Sequence, residues 1–190
     1  MSADAAVEWL AATAWSVALH ESQYAYAIVE SVHVWALCLF VGFAVVLDLR
    51  LVGIIFRGVP IAHMIDRVLP WTKAGFVVMV ISGVLLFYAI PVRTYHNVFF
   101  RVKVVLLILA GLNALTFHSG VSRKAAGWDL NLSPAPRAVK LAGVFSLALW
   151  ALVVFSGRLI AYNWFDCSKP QSALINSLAG CTPEMIDPYQ

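Results

Sequence analysis

Charge is what this sequence has least of. Only 12% of its residues are Asp, Glu, Lys or Arg, where a soluble domain carries roughly a quarter. So few charges cannot solubilise a water-facing surface. With 62% hydrophobic residues and a mean hydropathy of +0.84, the alternative solvent is lipid. Cysteine is also scarce: there are three and no CxxC, which excludes zinc-ribbon, iron–sulfur and thioredoxin-like spacings. The N-terminus carries Asp4 and Glu8 where a signal peptide has basic residues, so no cleavable signal peptide is expected. A Gly-rich phosphate loop, a nucleophile elbow and a carboxylate pair at catalytic spacing are all missing. An independent enzyme acting on a soluble substrate is therefore the least expected class, and an electron carrier or a subunit is expected before it. The net charge of +3 and pI near 8.9 do not point to nucleic acid. The basic residues stand at the ends of apolar runs, where membrane topology places them.

Four apolar runs are present, at 24–53, 73–90, 98–117 and 138–161. Each is long enough to cross about 30 Å of hydrocarbon with help from tilt and from snorkelling at Arg101 and Lys103. The second begins after Pro70-Trp71, and the fourth follows the break at Pro134 and Pro136. Residues 1–21 carry Val7, Leu10, Ala14 and Val17 on one side, with Trp9 and Trp15, and read as an amphipathic helix lying in the interface. Gly75 and Gly83, Ala110 and Ala114, and Gly143 and Ser146 are small residues that let helices approach closely. The expected fold is all-α: one domain of four transmembrane helices in a bundle, an N-terminal interfacial helix, and a C-terminal tail over 162–190. No internal repeat is visible.

Orientation follows from Lys and Arg. The loops at 49–73 and 119–140 hold eight of the thirteen basic residues: Arg50, Arg57, Arg67, Lys73, Arg123, Lys124, Arg137 and Lys140. Their only acids are Asp66 and Asp129. The positive-inside rule puts both loops in the cytoplasm and both termini in the periplasm of a bacterial inner membrane. Cys167 and Cys181 then fall in an oxidising compartment, where a disulfide is expected. Cys38 lies mid-span and reads as a small buried hydrophobe. Trp71, Trp128 and Trp164 mark the boundaries as an aromatic belt, and Asn113 needs a hydrogen-bond partner from another helix or a water.

Ionisable groups inside a span are candidate sites. Glu30 and His33 share a helix face, and Asp48, eighteen residues after Glu30, returns to it after five turns of 3.6. That face is expected to point into the bundle, with Arg158 as a partner for Glu30. A single Glu-x-x-His excludes a di-iron centre, which needs two copies and two further carboxylates. A catalytic zinc site lacks converging ligands for the same reason. Haem b fits the inventory better. His33, with His96 or His20 opposite, is the expected axial pair, tuned by Glu30 and Arg158. His118 lies about 25 Å from His33 at 1.5 Å per residue, so the two cannot share an iron. With His63 it forms a possible second pair on the other side.

The stretches Glu30-Ser-Val-His33, Asp48-Leu-Arg50-Leu-Val-Gly53, Asn113-Ala-Leu-Thr-Phe-His118 and the run from Gly157-Arg158 to Asp166-Cys167 occur together in this order. They resemble the DUF6644-type family of bacterial four-helix inner-membrane proteins over nearly the whole chain. The resemblance implies the architecture and no activity or cofactor. It singles out His33, His118, Arg158, Asn163, Trp164 and Asp166 as positions to test.

The reading these residues lead to is a small b-type haem protein passing electrons between a quinone or periplasmic redox partner and its haem. Its first rival is a non-catalytic accessory or assembly subunit packed in lipid against a larger membrane complex. The second is a proton or small-solute carrier or channel lined by Glu30, His33 and Asp48, which with four unbroken spans would require an oligomer.

Overall fold

The computed structural model describes residues 2–117, 135–162, 164–168, 171–182 and 185. Among them are eight helices and no strand: α1 (Ala3–Ala11), α2 (Ala14–Glu21), α3 (Ala25–Val52), α4 (Ile61–Ala89), α5 (Pro91–Tyr95), α6 (Val98–Thr116), α7 (Arg137–Ala161) and α8 (Ala173–Ala179). Four of them, α3, α4, α6 and α7, are long and apolar enough to cross a membrane. Their exposed faces carry large apolar side chains such as Trp35, Ile81, Ile108 and Phe155, which suits contact with lipid. The chain is thus a multi-pass, all-helical membrane protein.

Two local features differ from the sequence expectation. Residues 3–21 form two helices, because Thr13 interrupts the first and caps the second, its hydroxyl accepting from the Ser16 N–H at 3.4 Å. The helix over the second apolar run starts at Ile61, with Pro70 inside it and not at its start. A proline costs one backbone hydrogen bond. Pro70 leaves the Asp66 carbonyl without its i→i−4 donor, and a long apolar helix in a membrane protein tolerates that single loss.

The chain divides into two compact units. The second unit, Val32–Val80 and Leu106–Leu152, contains segments of all four long helices. Its packing is set by small residues. A Cβ on Gly75 would lie 3.1 Å from the Phe40 backbone nitrogen, so only glycine lets α4 approach α3 there. Phe40 then packs edge-on to Trp150 at 4.9 Å and joins Ala36 and Met79 in a buried cluster. Gly143 does the same for α7, where a Cβ would lie 3.1 Å from the Asp48 carbonyl oxygen. Ser146 stands one turn further along the same face and hydrogen-bonds the Asp48 side chain. Asn113 finds the expected partner, donating to the Ala142 carbonyl at 3.2 Å. Of the alanine pair on α6, Ala110 is buried and Ala114 is exposed.

The first unit, Met1–Ser31, Ile81–Val105 and Val153–Gln190, holds α1, α2, α5 and α8 together with one end of each long helix. Here Lys103 lays its ammonium over Gly157, where a Cβ would be only 3.3 Å away. Among the described residues, seven of the nine buried polar or charged ones belong to this unit.

Candidate functional site

Two features of the first unit lie side by side: a cap that fastens the C-terminal tail, and a cleft. The cap is built from the short connection between α4 and α6. Pro91 opens α5 at a position where its missing N–H and fixed φ cost nothing. Asn97 then starts α6, its Oδ1 accepting from the N–H groups of Phe99 at 2.9 Å and Phe100 at 3.3 Å. Asn97 also donates to the Trp164 carbonyl at 3.4 Å, and the Val98 N–H donates to the Phe165 carbonyl at 3.1 Å. The segment after α7 is thereby stitched to the start of α6.

His96 lies between these caps and is only 4% exposed. Its Nδ1 is 3.0 Å from the Ala179 carbonyl oxygen. A carbonyl only accepts, so Nδ1 carries the proton. Nε2 faces the Asp4 carboxylate at 3.7 Å. Arg101 completes the clasp: Nη1 donates to the Leu178 carbonyl at 2.7 Å, Nη2 to Ala179 at 2.9 Å, and Nε to Tyr95 at 3.2 Å. Those carbonyls are available because α8 stops there, at Gly180, whose φ of +71° is a left-handed cap that favours glycine. A Cβ on Gly180 would also sit 3.2 Å from Nη2 of Arg101. The Cys167–Cys181 disulfide closes the tail, with Cα atoms 5.5 Å apart. Asp166, 1% exposed, accepts from the Ser168 backbone and hydroxyl through Oδ1. Its other oxygen is 3.8 Å from Nε of the half-exposed Arg93.

Arg93 also belongs to the cleft. The hydroxyls of Thr13 and Ser16 anchor α2 to the end of α4, meeting the Tyr88 hydroxyl at 2.6 Å and its carbonyl at 2.7 Å. Between α2 and the turn into α5 a space of about 360 Å³ remains. Val17, Ala89, Ile90, Pro91 and Val92 form apolar walls, and His20, Glu21 and Arg93 bring polar groups to it. Ligand pockets run from about 300 to 1,000 Å³, mostly apolar with a few placed polar groups. The cleft is at the small end of that range and suits a headgroup better than a macrocycle.

The residues singled out from sequence fall in different places. His20 lines the cleft and His96 is buried in the cap. His33 is half-buried on α3 and belongs to the second unit. Glu30 is exposed, although Asp48 on the same helix is buried. The eighteen-residue repeat aligns the two on an ideal helix, but burial follows what packs there, and the Gly143 contact covers Asp48. Arg158 is also exposed. Its guanidinium donates to the Tyr162 hydroxyl at 3.0 Å and lies over that ring, and no ion pair with Glu30 is among the described contacts. Cys38 is exposed on α3, where a small buried residue was expected. His118, Trp128 and Asn163 lie outside the described residues.

A bis-histidine haem needs two imidazoles turned to one centre. His96 is turned to Ala179 and Asp4. Among the described residues no group of three or more His, Cys, Asp or Glu side chains is arranged to hold a metal ion. His96 makes its contacts to protein groups here, and no chemistry is routed through a haem. Arg93, Arg101 and Asn97 were not among the sequence candidates. Asn97 was findable as a cap before an apolar run. Arg101 read only as a snorkelling cation, because its partners are backbone carbonyls nearly eighty residues away in sequence.

The family model for the family of unknown function DUF6644 matches residues 8–163, and the chain belongs to that family. No curated protein and no solved structure matches it.

Proposed function

We propose that this family member is a binding protein of the bacterial inner membrane that takes a small membrane-soluble amphiphile into the cleft between α2 and the α4–α5 turn. The observation that carries the reading is the composition of that cleft: apolar walls from Val17 and Ala89 to Val92, with His20, Glu21 and Arg93 beside them. Arg93 and His20 donate to carbonyl or phosphate oxygens of a headgroup, Glu21 accepts from a hydroxyl, and the apolar body lies along the walls. Quinones and phospholipids share this chemistry. Asp166 lies 3.8 Å from Arg93 on the cap side and adds a negative charge beside the guanidinium. The electron-transfer role expected from the histidines is not part of this reading.

The test is saturable binding to purified protein of a short-chain ubiquinone analogue and, separately, of a short-chain phosphatidylglycerol. One of them binds, and Arg93→Gln weakens it about tenfold, the loss of one charge-assisted hydrogen bond. His20→Ala weakens it less and leaves the cap intact, because His20 stands outside the contacts that fasten the tail. If neither probe saturates while a stoichiometric protein partner co-purifies from native membranes, the accessory-subunit reading replaces this one.

The cleft, the cap and both termini are assigned to the periplasmic side, on the excess of Lys and Arg in the loops at 49–73 and 119–140. The Cys167–Cys181 disulfide suits that compartment. Alkaline phosphatase fused after Gln190 is expected to be active in cells, and the same enzyme inserted after Gly58 inactive.

A further inference from the structure

The clasp leaves one face of α8 uncovered. Leu174 and Leu178, four residues apart, are 70% and 51% exposed, while Ala179 on the opposite side is fully buried. No residue of α8 is charged. Taken alone, such a face names no occupant. The depth at which Arg101 holds it does.

α6 begins as a membrane span at Val98, directly after the polar run Arg93-Thr94-Tyr95-His96-Asn97. That change from polar to apolar sequence puts the first turn of α6 at a membrane boundary. Arg101 lies in its first turn, and the Arg101 guanidinium grips the last carbonyls of α8 directly. The helix is therefore fixed within one side chain's reach of that boundary. The chain leading to it carries the same mark: Tyr162 and Trp164, both more than half exposed, continue from the exposed Phe155 on α7. Tyr and Trp favour this level because their rings are apolar and their polar tips reach water.

We infer that α8 is an interfacial anchor, lying in the headgroup region of the leaflet on its own side with Leu174 and Leu178 inserted toward the acyl chains. The occupant of the exposed face is lipid. The disulfide and the Arg101 clasp hold the helix at that depth, and the leucines supply the contact. This assignment is independent of any ligand in the cleft.

The test places a nitroxide at position 174, through a p-acetylphenylalanine so that the disulfide stays undisturbed. The protein is reconstituted in phosphatidylethanolamine–phosphatidylglycerol vesicles. Collisions with oxygen, which concentrates in lipid, are compared with collisions with a water-soluble nickel chelate. The expected result is an oxygen-to-chelate ratio several-fold higher at 174 and 178 than at Gln171, just before the helix. A ratio at 174 equal to that at Gln171 would put the leucines in water and overturn the inference. Protection from both reagents would mean that protein, a partner or a second copy, covers the face, and would overturn it as well. If the label at 174 disturbs the cap, Leu178→Glu in otherwise native protein gives a second measure. It should weaken the protection of α8 amides from hydrogen exchange in vesicles and leave it unchanged in a bilayer-free amphipol; equal protection in both would count against the anchor.

Discussion

Replacing Cys167 and Cys181 together by serine is expected to cut the exchange protection of amides in residues 171–182 by roughly a hundredfold, equivalent to about 3 kcal/mol of local stability. The bridge closes a loop with a sequence separation of 14. In the chain-entropy account a loop of that size contributes about 3 kcal/mol by restricting the unfolded tail. The loss is confined to the cap. The long helices have contacts of their own, such as Gly75 on Phe40 and Gly143 on Asp48. The tail also keeps the Arg101 and His96 hydrogen bonds after the bridge is gone. Hydrogen exchange followed by mass spectrometry on oxidised wild type and the double variant reads this directly. Equal protection in the two proteins would mean that the clasp alone fixes the tail. An equal loss across α3 and α7 would mean that the cap and the spans unfold as one unit.

Gly143→Leu is expected to destabilise the second unit by about 3 kcal/mol, through two effects that add. The first is steric. A Cβ at this position meets the Asp48 carbonyl oxygen at 3.1 Å, the Leu51 Cβ at 3.2 Å and a Val52 methyl at 3.2 Å. The nearest of these is backbone, so α3 and α7 must move apart. The second follows from that movement. Ser146 is drawn away from Asp48, whose other carboxylate oxygen is already buried without a hydrogen-bond partner. A buried polar group that loses its donor costs about 1–3 kcal/mol. Gly111→Leu is the control, since nothing lies within 4 Å of its Cβ and the new side chain faces open space. It should be neutral or slightly stabilising, because leucine is a better helix former by about 1 kcal/mol. Unfolding in mixed micelles of increasing sodium dodecyl sulfate mole fraction, followed by circular dichroism, separates the two. Equal midpoints for Gly143→Leu and wild type would show that the α3–α7 approach is not tight.

The long apolar helices were legible because hydropathy reports the solvent directly: a run that avoids charge for twenty residues has few other fates. Gly75, Gly143 and Asn113 were legible for a related reason, since each is an exception to the surrounding apolar pattern and must be packed or satisfied. The start of the second long helix was misplaced because Pro70 reads as punctuation in water, whereas a long membrane helix continues through it at the loss of one hydrogen bond. The Cys167–Cys181 pair was readable from topology and compartment. The cap was not. Its main clasp joins Arg101 to main-chain carbonyls of Leu178 and Ala179, and a carbonyl acceptor leaves no trace in residue identity. The same holds for His96, whose partner in the structure is the main-chain carbonyl of Ala179. Glu30 and Arg158 were matched by charge and depth, yet Tyr162, one turn from Arg158 on its own chain, takes the guanidinium. The cleft was invisible because most of its lining residues are ordinary apolar ones on α2 and the α4–α5 turn.

The most direct test of the amphiphile-binding account is a photocrosslinking map with an azido-substituted short-chain quinone and, in parallel, a diazirine-bearing phosphatidylglycerol. Each is bound below saturation, irradiated, and located by peptide sequencing. The account predicts that one probe labels peptides containing Val17–Glu21 and Ala89–Arg93, that excess unlabelled ligand competes it away, and that Arg93→Gln reduces it about tenfold. Labelling spread along the lipid-facing sides of α3, α4, α6 and α7, with no competition at the cleft, would contradict the account and leave the cleft without a ligand of either class.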